Sequence, residues 1–303
     1  MITDFDDFCL WTLVIVDDLC LRLAPFFQRP GPAPECADSE LIALTLIGEC
    51  RGWNMETELL HNWRQRRDLF PHVPSQSRYN RRRRQLADQF NLIRRVLLDL
   101  LGAAEDRQCI LDSLPVPVMG FHLVPGSAAK SAWQAHGANY GRVASKKQTI
   151  FGYKLHLLIT LGGIILDFVL APAAAGDLEV GSQLLEEHTD LDTLGDKGYV
   201  SALVQARLWA EKRIRLYTVP RGNQAQQLPP AAVHLHNQVR QLIETVNSQL
   251  SGQFKLGQHY AHSFAGLCTR LYSKLTAHTL CIYLNKLCGK VDFLQIKALA
   301  FPA

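Results

Sequence analysis

No apolar run in this chain reaches the ~18 residues that a helix needs to cross a bilayer. The opening residues, MITDFDDF, are acidic and lack the basic n-region of a signal peptide. Eight cysteines, at 9, 20, 36, 50, 109, 268, 281 and 288, include no C-x-x-C pair. The expectation is therefore reduced, mostly buried thiols in a cytosolic protein, with little to recommend thiol catalysis. Disorder is excluded too, because 48% of the 303 residues are hydrophobic and only 20% are charged. That length allows one large domain or two ordinary ones.

Lysine is absent where it would be most expected. Residues 61–95 hold ten arginines, no lysine, and only Asp68 and Asp88 as acids, a balance of +8 within a chain of net +4. Residues 1–60 hold three basic and eleven acidic side chains, a balance of −8. A guanidinium fork matches phosphate oxygens, so the arginine segment points to nucleic-acid contact. Two plainer roles compete with that one. The segment could be a solvated helix face, or the internal partner of the acidic first sixty residues.

The first hundred residues read as helices. Helical spacing runs over 4–24 up to Pro25; Asp38 or Ser39 can cap ELIALTLIGEC; a third helix covers roughly 54–69. PSQS at 74–77 opens a long helix with Tyr79, Leu86, Phe90, Ile93, Leu97 and Leu100 on its apolar side and Arg78 near its start. From 107 the texture changes to strands. CILDSLPVPV, 109–118, is a strand interrupted by Asp112, where Pro115 and Pro117 should loosen pairing. A loose Gly/Ala/Ser-rich segment follows, carrying Lys130, Arg142, Lys146 and Lys147. TIFGYKLHLLIT and GIILDFVLAPA meet at Gly162-Gly163, a hairpin signal. The pattern βββ-α-β-α-β-α that follows implies a mixed sheet flanked by helices, whose sites gather at the carboxyl ends of the strands.

Three acids stand in matching contexts. Asp112 and Asp196 (in LGDKGY) each end a strand. Glu244 lies on the polar stripe of AAVHLHNQVRQLIETVNSQL with Asn237, Arg240, Asn247 or Ser248, and Ser251. Taken singly, each has an ordinary reading: a strand-end aspartate that starts a turn, or an exposed i,i+4 pair between Arg240 and Glu244.

Taken in order, LDSLPVPV, FGYKLHLLIT, ILDFVLAPAAAGD, LGDKGY and R-x-x-x-E-T-x-x-S-Q-L resemble the DDE transposases of bacterial insertion sequences, closest to the insertion sequence 982 family. The resemblance spans about 107–285 and, more loosely, SRYNRRRRQL. It implies an α/β, RNase H-like fold with a mixed five-stranded sheet, preceded by an all-helical N-terminal domain. The expected domains are 1–102 for DNA binding and assembly and 107–290 for catalysis. By resemblance Asp112, Asp196 and Glu244 are the catalytic and metal-binding triad, Asp112 bridging two Mg²⁺ or Mn²⁺ ions. The 48 residues from 196 to 244 leave no room for an inserted β-domain. The resemblance also implies cutting at element ends and joining of the 3′-OH to target DNA. The partner is double-stranded DNA, the active complex a homodimer, and the location the cytoplasm at the bacterial nucleoid. DNA contacts are expected from Arg78, Arg81, Arg82, Arg83, Arg84, Lys146, Lys147, Lys154, Lys197 and Arg240.

The chain departs from related groups in one respect. Their Tyr-x-x-Arg-x-x-x-Glu, with a lysine two turns later, reads here with Asn237 for the tyrosine and Ser251 for the lysine; Lys255 is the available substitute. His234 and His236 point to different helix faces, and His259 and His262 have no acid nearby, so structural roles are expected. Asp167 should have a fold-internal partner and Asp177 an N-cap role, although Asp177 is the acid that most threatens the place of Asp196. Two other classes stay open: an RNase H-like nuclease that cuts without joining, and a non-catalytic DNA-binding protein of transposase descent.

Overall fold

The computed structural model describes residues 2–28, 31–143, 147–218 and 230–301, without the side chains of 230–237. Lys146 and the side chains of His234, His236 and Asn237 lie outside the described residues. The chain divides into two units, Gly102–Ser248 on one hand and Met1–Leu101 with Gln249–Ala303 on the other.

The first of these is organised around β1 (Gln108–Met119), which pairs on both sides. The antiparallel partner β3 (Gln148–Thr160) runs alongside it from Cys109↔Thr160 to Met119↔Phe151. The parallel partner β5 (Asp192–Gly195) pairs only from Gln108↔Asp192 to Leu111↔Gly195. The strand therefore does not end at Asp112, as the sequence suggested, but runs on through its prolines to Met119. Pro115 and Pro117 lie in the stretch where β3 alone is the partner, and the register slips only between Pro117 and Met119. Beyond β3, the hairpin strand β4 (Ile165–Pro172) pairs with residues 153–159, and beyond β5 lies the parallel β6 (Arg215–Thr218). The sheet has six strands rather than five. The loose segment after β1 contributes α6 (Ala129–Gln134) and β2 (Asn139–Val143), which prolongs the β4 edge of β3 along residues 148–152. The spine β4-β3-β1-β5-β6, with helices between its parallel strands, is the RNase H-like fold.

Alternation along β1 assigns its faces. Cys109 and Leu111 turn to one face and join Leu158, Leu184, Leu185, Tyr199, Leu208 and Leu216 in the core beneath α7 (Asp177–Glu186) and α8 (Ala202–Lys212). Asp112 turns to the other face, where α9 (Pro230–Ser248) lies. Ile243 and Val246 bury the apolar side of that helix.

The second unit contains α1 (Phe5–Arg22), α2 (Asp38–Arg51), α3 (Glu56–Arg64), α4 (Gln76–Gln85), α5 (Ala87–Leu101), α10 (Phe264–Leu287) and the short α11 (Lys297–Ala300). The expected long helix from PSQS is two helices, parted at Leu86 (φ −94°, ψ 14°). The cap of α2 is Ala37 rather than Asp38 or Ser39, and Glu40 accepts a 2.6 Å bond from the Ala37 N–H. The sequence reading placed residues up to 290 with the sheet. Instead α10 packs on α5, α2 and α4 in this unit. Its burial is nearly all-round, polar residues included, so each must find a partner. Thr276 donates to the Phe90 carbonyl at 2.8 Å, and Lys274 donates to Glu49 at 2.6 Å. Among the described residues no helix is long and apolar enough to cross a membrane.

Candidate active site

The parallel ladder between β1 and β5 ends at Leu111↔Gly195, so the next residue on each strand is an acid: Asp112 and Asp196. Two glycines in this neighbourhood are required by close approach. A Cβ at Gly195 would stand 3.1 Å from the Tyr199 ring, and one at Gly181 on α7 only 2.5 Å from it. The buried Tyr199 ring thus clamps the LGDKGY turn, and the Gly198 N–H donates to Asp196 Oδ1 at 2.5 Å. Asp196 itself stays exposed.

Asp112 is half-buried, and Asn247 Nδ2 on α9 donates to its Oδ2 at 2.8 Å. Burial raises the Asp112 pKa above the usual carboxylate range. The Ser113 N–H and Asn247 bonds oppose that rise, and the nearby charges of Asp196 and Asp177 add to it. Burial pushes the Tyr199 phenol well up too, helped by Asp112, Asp177 and Asp196. Three carboxylates thus share one electrostatic neighbourhood, and among the described residues the groups that hydrogen-bond Asp112 are neutral amides, the Ser113 N–H and Asn247.

Asp177 is not the N-cap the sequence suggested; it is the first residue of α7 and makes an ion pair. Lys154 Nζ lies 2.8 Å from Asp177 Oδ1, and Ser113 Oγ lies 3.5 Å from the same oxygen. Ser113 turns to the α7 face and Asp112 to the α9 face, so Asp177 and Asp112 approach β1 from opposite sides. Asp167 has the expected internal partner, His188, at 3.1 Å.

Glu244 lies three residues before Asn247, hence beside it on α9. It is 61% exposed and pairs with Arg240 at 2.9 Å. Asp112 and Asp196 are thus side by side just past the end of the β1–β5 ladder, with Glu244 one helical step from the residue that touches Asp112. Asn247 was legible only as one of two alternatives on a polar stripe; nothing in the sequence singled out its contact. Every candidate ligand is a carboxylate oxygen, a donor set that fits a hard divalent cation. Among the described residues no three such groups already stand close enough to hold one.

The expected DNA contacts divide. Arg78, Arg81 and Arg84 are exposed on α4 or its flank, as are Lys147, Lys197 and Arg240. Arg82 and Arg83 correct the sequence reading. Arg82 pairs with Asp38 at 2.6 Å, and Arg83 is 3% exposed, 3.5 Å from Glu49 and 3.8 Å from Glu56. For these two the acidic N-terminal helices are indeed the partner. Lys154 faces Asp177, and Lys255, the candidate substitute, donates to the Gly52 carbonyl at 2.8 Å. His259 is buried, its Nδ1 accepting from the Ala261 N–H at 3.0 Å, a structural role.

An RNase H-like sheet with two acids side by side where the ladder of its central parallel strands ends defines the class. Residues 103–280 match the family model described as the transposase DDE domain, more than half of the chain, and the protein belongs to that family. No curated protein and no solved structure was found to match the chain.

Proposed function

We propose that the protein is the transposase of a bacterial insertion sequence, of the insertion sequence 982 type, that cuts DNA at the element ends and joins the freed 3′-OH to target DNA. The observation that carries this reading is the β1–β5 register, which sets Asp112 beside Asp196 with the Glu244 helix alongside. Asp112, Asp196 and Glu244 would hold two Mg²⁺ or Mn²⁺ ions, whose chemistry is to neutralise charge on the attacking and leaving oxygens. Asp112 is suited to that role, since its charge is opposed by burial and by neighbouring acids. Asn247 orients the Asp112 carboxylate, and the Tyr199 clamp fixes the turn that carries Asp196. Arg240 pairs with Glu244 on the helix that also carries Asn247. Arg78, Arg81, Arg84, Lys147 and Lys197 supply exposed positive charge for the DNA backbone. The helical unit serves DNA binding and assembly, Gly102–Ser248 carries the catalytic sheet, and the active complex is a homodimer in the bacterial cytoplasm.

Asp177 in place of Asp196 is the rival triad. It is weaker because Lys154 already neutralises Asp177, on the opposite face from Asp112. Labelled end DNA incubated with Mg²⁺ separates the functional classes. Joined products support the transposase reading, cut but unjoined ends a nuclease, and retention of intact DNA a binding protein.

A further inference from the structure

The helical unit holds a cavity of about 160 Å³, room for several waters, that the triad does not use. Its walls come from Glu56 at the start of α3, from Asn80 and the end of α4, from the segment 260–263 and from the first turns of α10. Arg83, Arg84 and Arg270 line it; Arg83 and Arg270 are 3% and 8% exposed. Lys274 stands behind them at Glu49. Against these four cations the cluster has two acids, Glu49 and Glu56, so positive charge is in surplus.

The guanidinium of Arg83 is the decisive group. Its contacts to Glu49 and Glu56 are long, 3.5 and 3.8 Å, and its buried Nε has no hydrogen-bond partner. A buried guanidinium with an unspent donor is costly unless something fills the space beside it. The N-terminus of the 24-residue helix α10 opens on the same cavity through Ser263 and Gly266; the Ser263 hydroxyl already caps the Gly266 N–H at 3.2 Å, so what the helix adds is the positive end of its dipole. At the rim, Tyr260 is 57% exposed and held in the left-handed region at φ +50°. An exposed aromatic beside a cationic pocket suits a base next to a backbone phosphate.

We propose that this cavity is a phosphate-binding pocket, filled by one backbone phosphate of the DNA on which the protein acts. The phosphate chemistry stands on the pocket alone; its assignment to DNA rests on the transposase reading. Arg83 thus returns as a phosphate ligand from inside the fold rather than as part of a surface stripe.

The test uses the full chain and two probes, inorganic phosphate and a short labelled duplex. Arg83→Gln risks unfolding, since Arg83 belongs to the buried charge cluster. Arg84→Ala, at an exposed position, and Tyr260→Ala keep the test interpretable, with circular dichroism as the fold check. Phosphate should raise the Tm of the unmodified chain by a few degrees over chloride at equal ionic strength, and raise that of Arg84→Ala less. Phosphate should also compete with the duplex, and Arg84→Ala should lower the salt slope of DNA binding by about 0.9. Tyr260→Ala should weaken duplex binding but leave the phosphate effect on Tm unchanged. No phosphate-specific rise in Tm overturns the pocket. A rise without competition, or with an unchanged salt slope, overturns the DNA assignment and leaves a site for free phosphate. Mg²⁺-dependent cleavage of end DNA by the unmodified chain is read separately, so loss of the pocket and loss of the transposase reading remain distinguishable.

Discussion

Replacing Lys274 with methionine keeps the length of the stem and removes one charge from the middle of the helical unit. Lys274 is 1% exposed and donates to Glu49 Oε2 at 2.6 Å, to Asn54 Oδ1 at 2.9 Å and to the Phe254 carbonyl at 2.6 Å. Burial lowers the lysine to about 8, with Glu49 pulling the other way. For Glu49 burial works upward, but Lys274, Arg83 and Arg270 override it and hold the carboxyl below its usual range. A lone ion pair would raise its lysine while lowering its acid. Here both partners move down: burial is the main cause for Lys274, with a smaller repulsion from Arg270 and Arg83, while Glu49 gains from all three cations. Breaking a buried pair by removing one partner costs about 3–5 kcal/mol, because the other charge stays buried. Arg83 remains 3.5 Å from Glu49, which places Lys274→Met near the lower end, about 3 kcal/mol. Urea unfolding followed by circular dichroism measures it, and Glu49→Gln/Lys274→Met completes the cycle. The double variant should recover part of the loss. A loss under about 1 kcal/mol in the single variant, or a double variant equal to the sum of the singles, would refute the dependence of Glu49 on Lys274.

The folded Asp112 binds its proton more tightly than an unfolded aspartate, so stability falls as pH rises through that window and the carboxylate is a cost at pH 7. Asp112→Asn should accordingly melt at a higher temperature at pH 7, and an equal or lower Tm would contradict the assignment of that burden to Asp112. His156 and His278 are fully buried and pushed down to about 4 by burial, so the unfolded chain takes up their protons first. Stability should drain away as pH falls from about 6.5 to 4, by about 3 kcal/mol for each histidine. A denaturation midpoint that stays flat across that range counts against it. Changing Arg78 and Arg81 to alanine should flatten the salt dependence of DNA binding by about 0.9 per lost contact; an unaltered slope means that neither touches phosphate.

Local chemistry explains what was legible in the sequence. Gly162-Gly163 turns between β3 and β4, and the apolar runs around Asp112 and Asp196 are strands because they are buried on the sheet. What failed depended on distant partners. NYGRV has no alternation to announce β2, which exists because β3 is long enough to leave part of one edge uncovered by β4. The apolar pattern of α10 says that the helix is buried but not where; its partners are α2, α4 and α5, more than 160 positions earlier. Arg82 and Arg83 look like their neighbours in sequence, and only the arrival of Asp38, Glu49 and Glu56 separates them from Arg81 and Arg84. At the site, a strand end predicted where Asp196 lies; Asp112 instead sits within a strand that runs on to Met119, beside Asp196 only because the parallel ladder stops there, and the amide of Asn247 on Asp112 required the docking of α9.

Glu244 decides the triad, because its pairing with Arg240 is also what an ordinary exposed ion pair would show. Glu244→Gln keeps shape and hydrogen bonding and removes only the charge. With labelled end DNA and Mg²⁺ or Mn²⁺, the variant should bind nearly as the unmodified protein does and cut nothing. Cleavage that persists in the variant would leave Glu244 as merely the partner of Arg240 and contradict the triad.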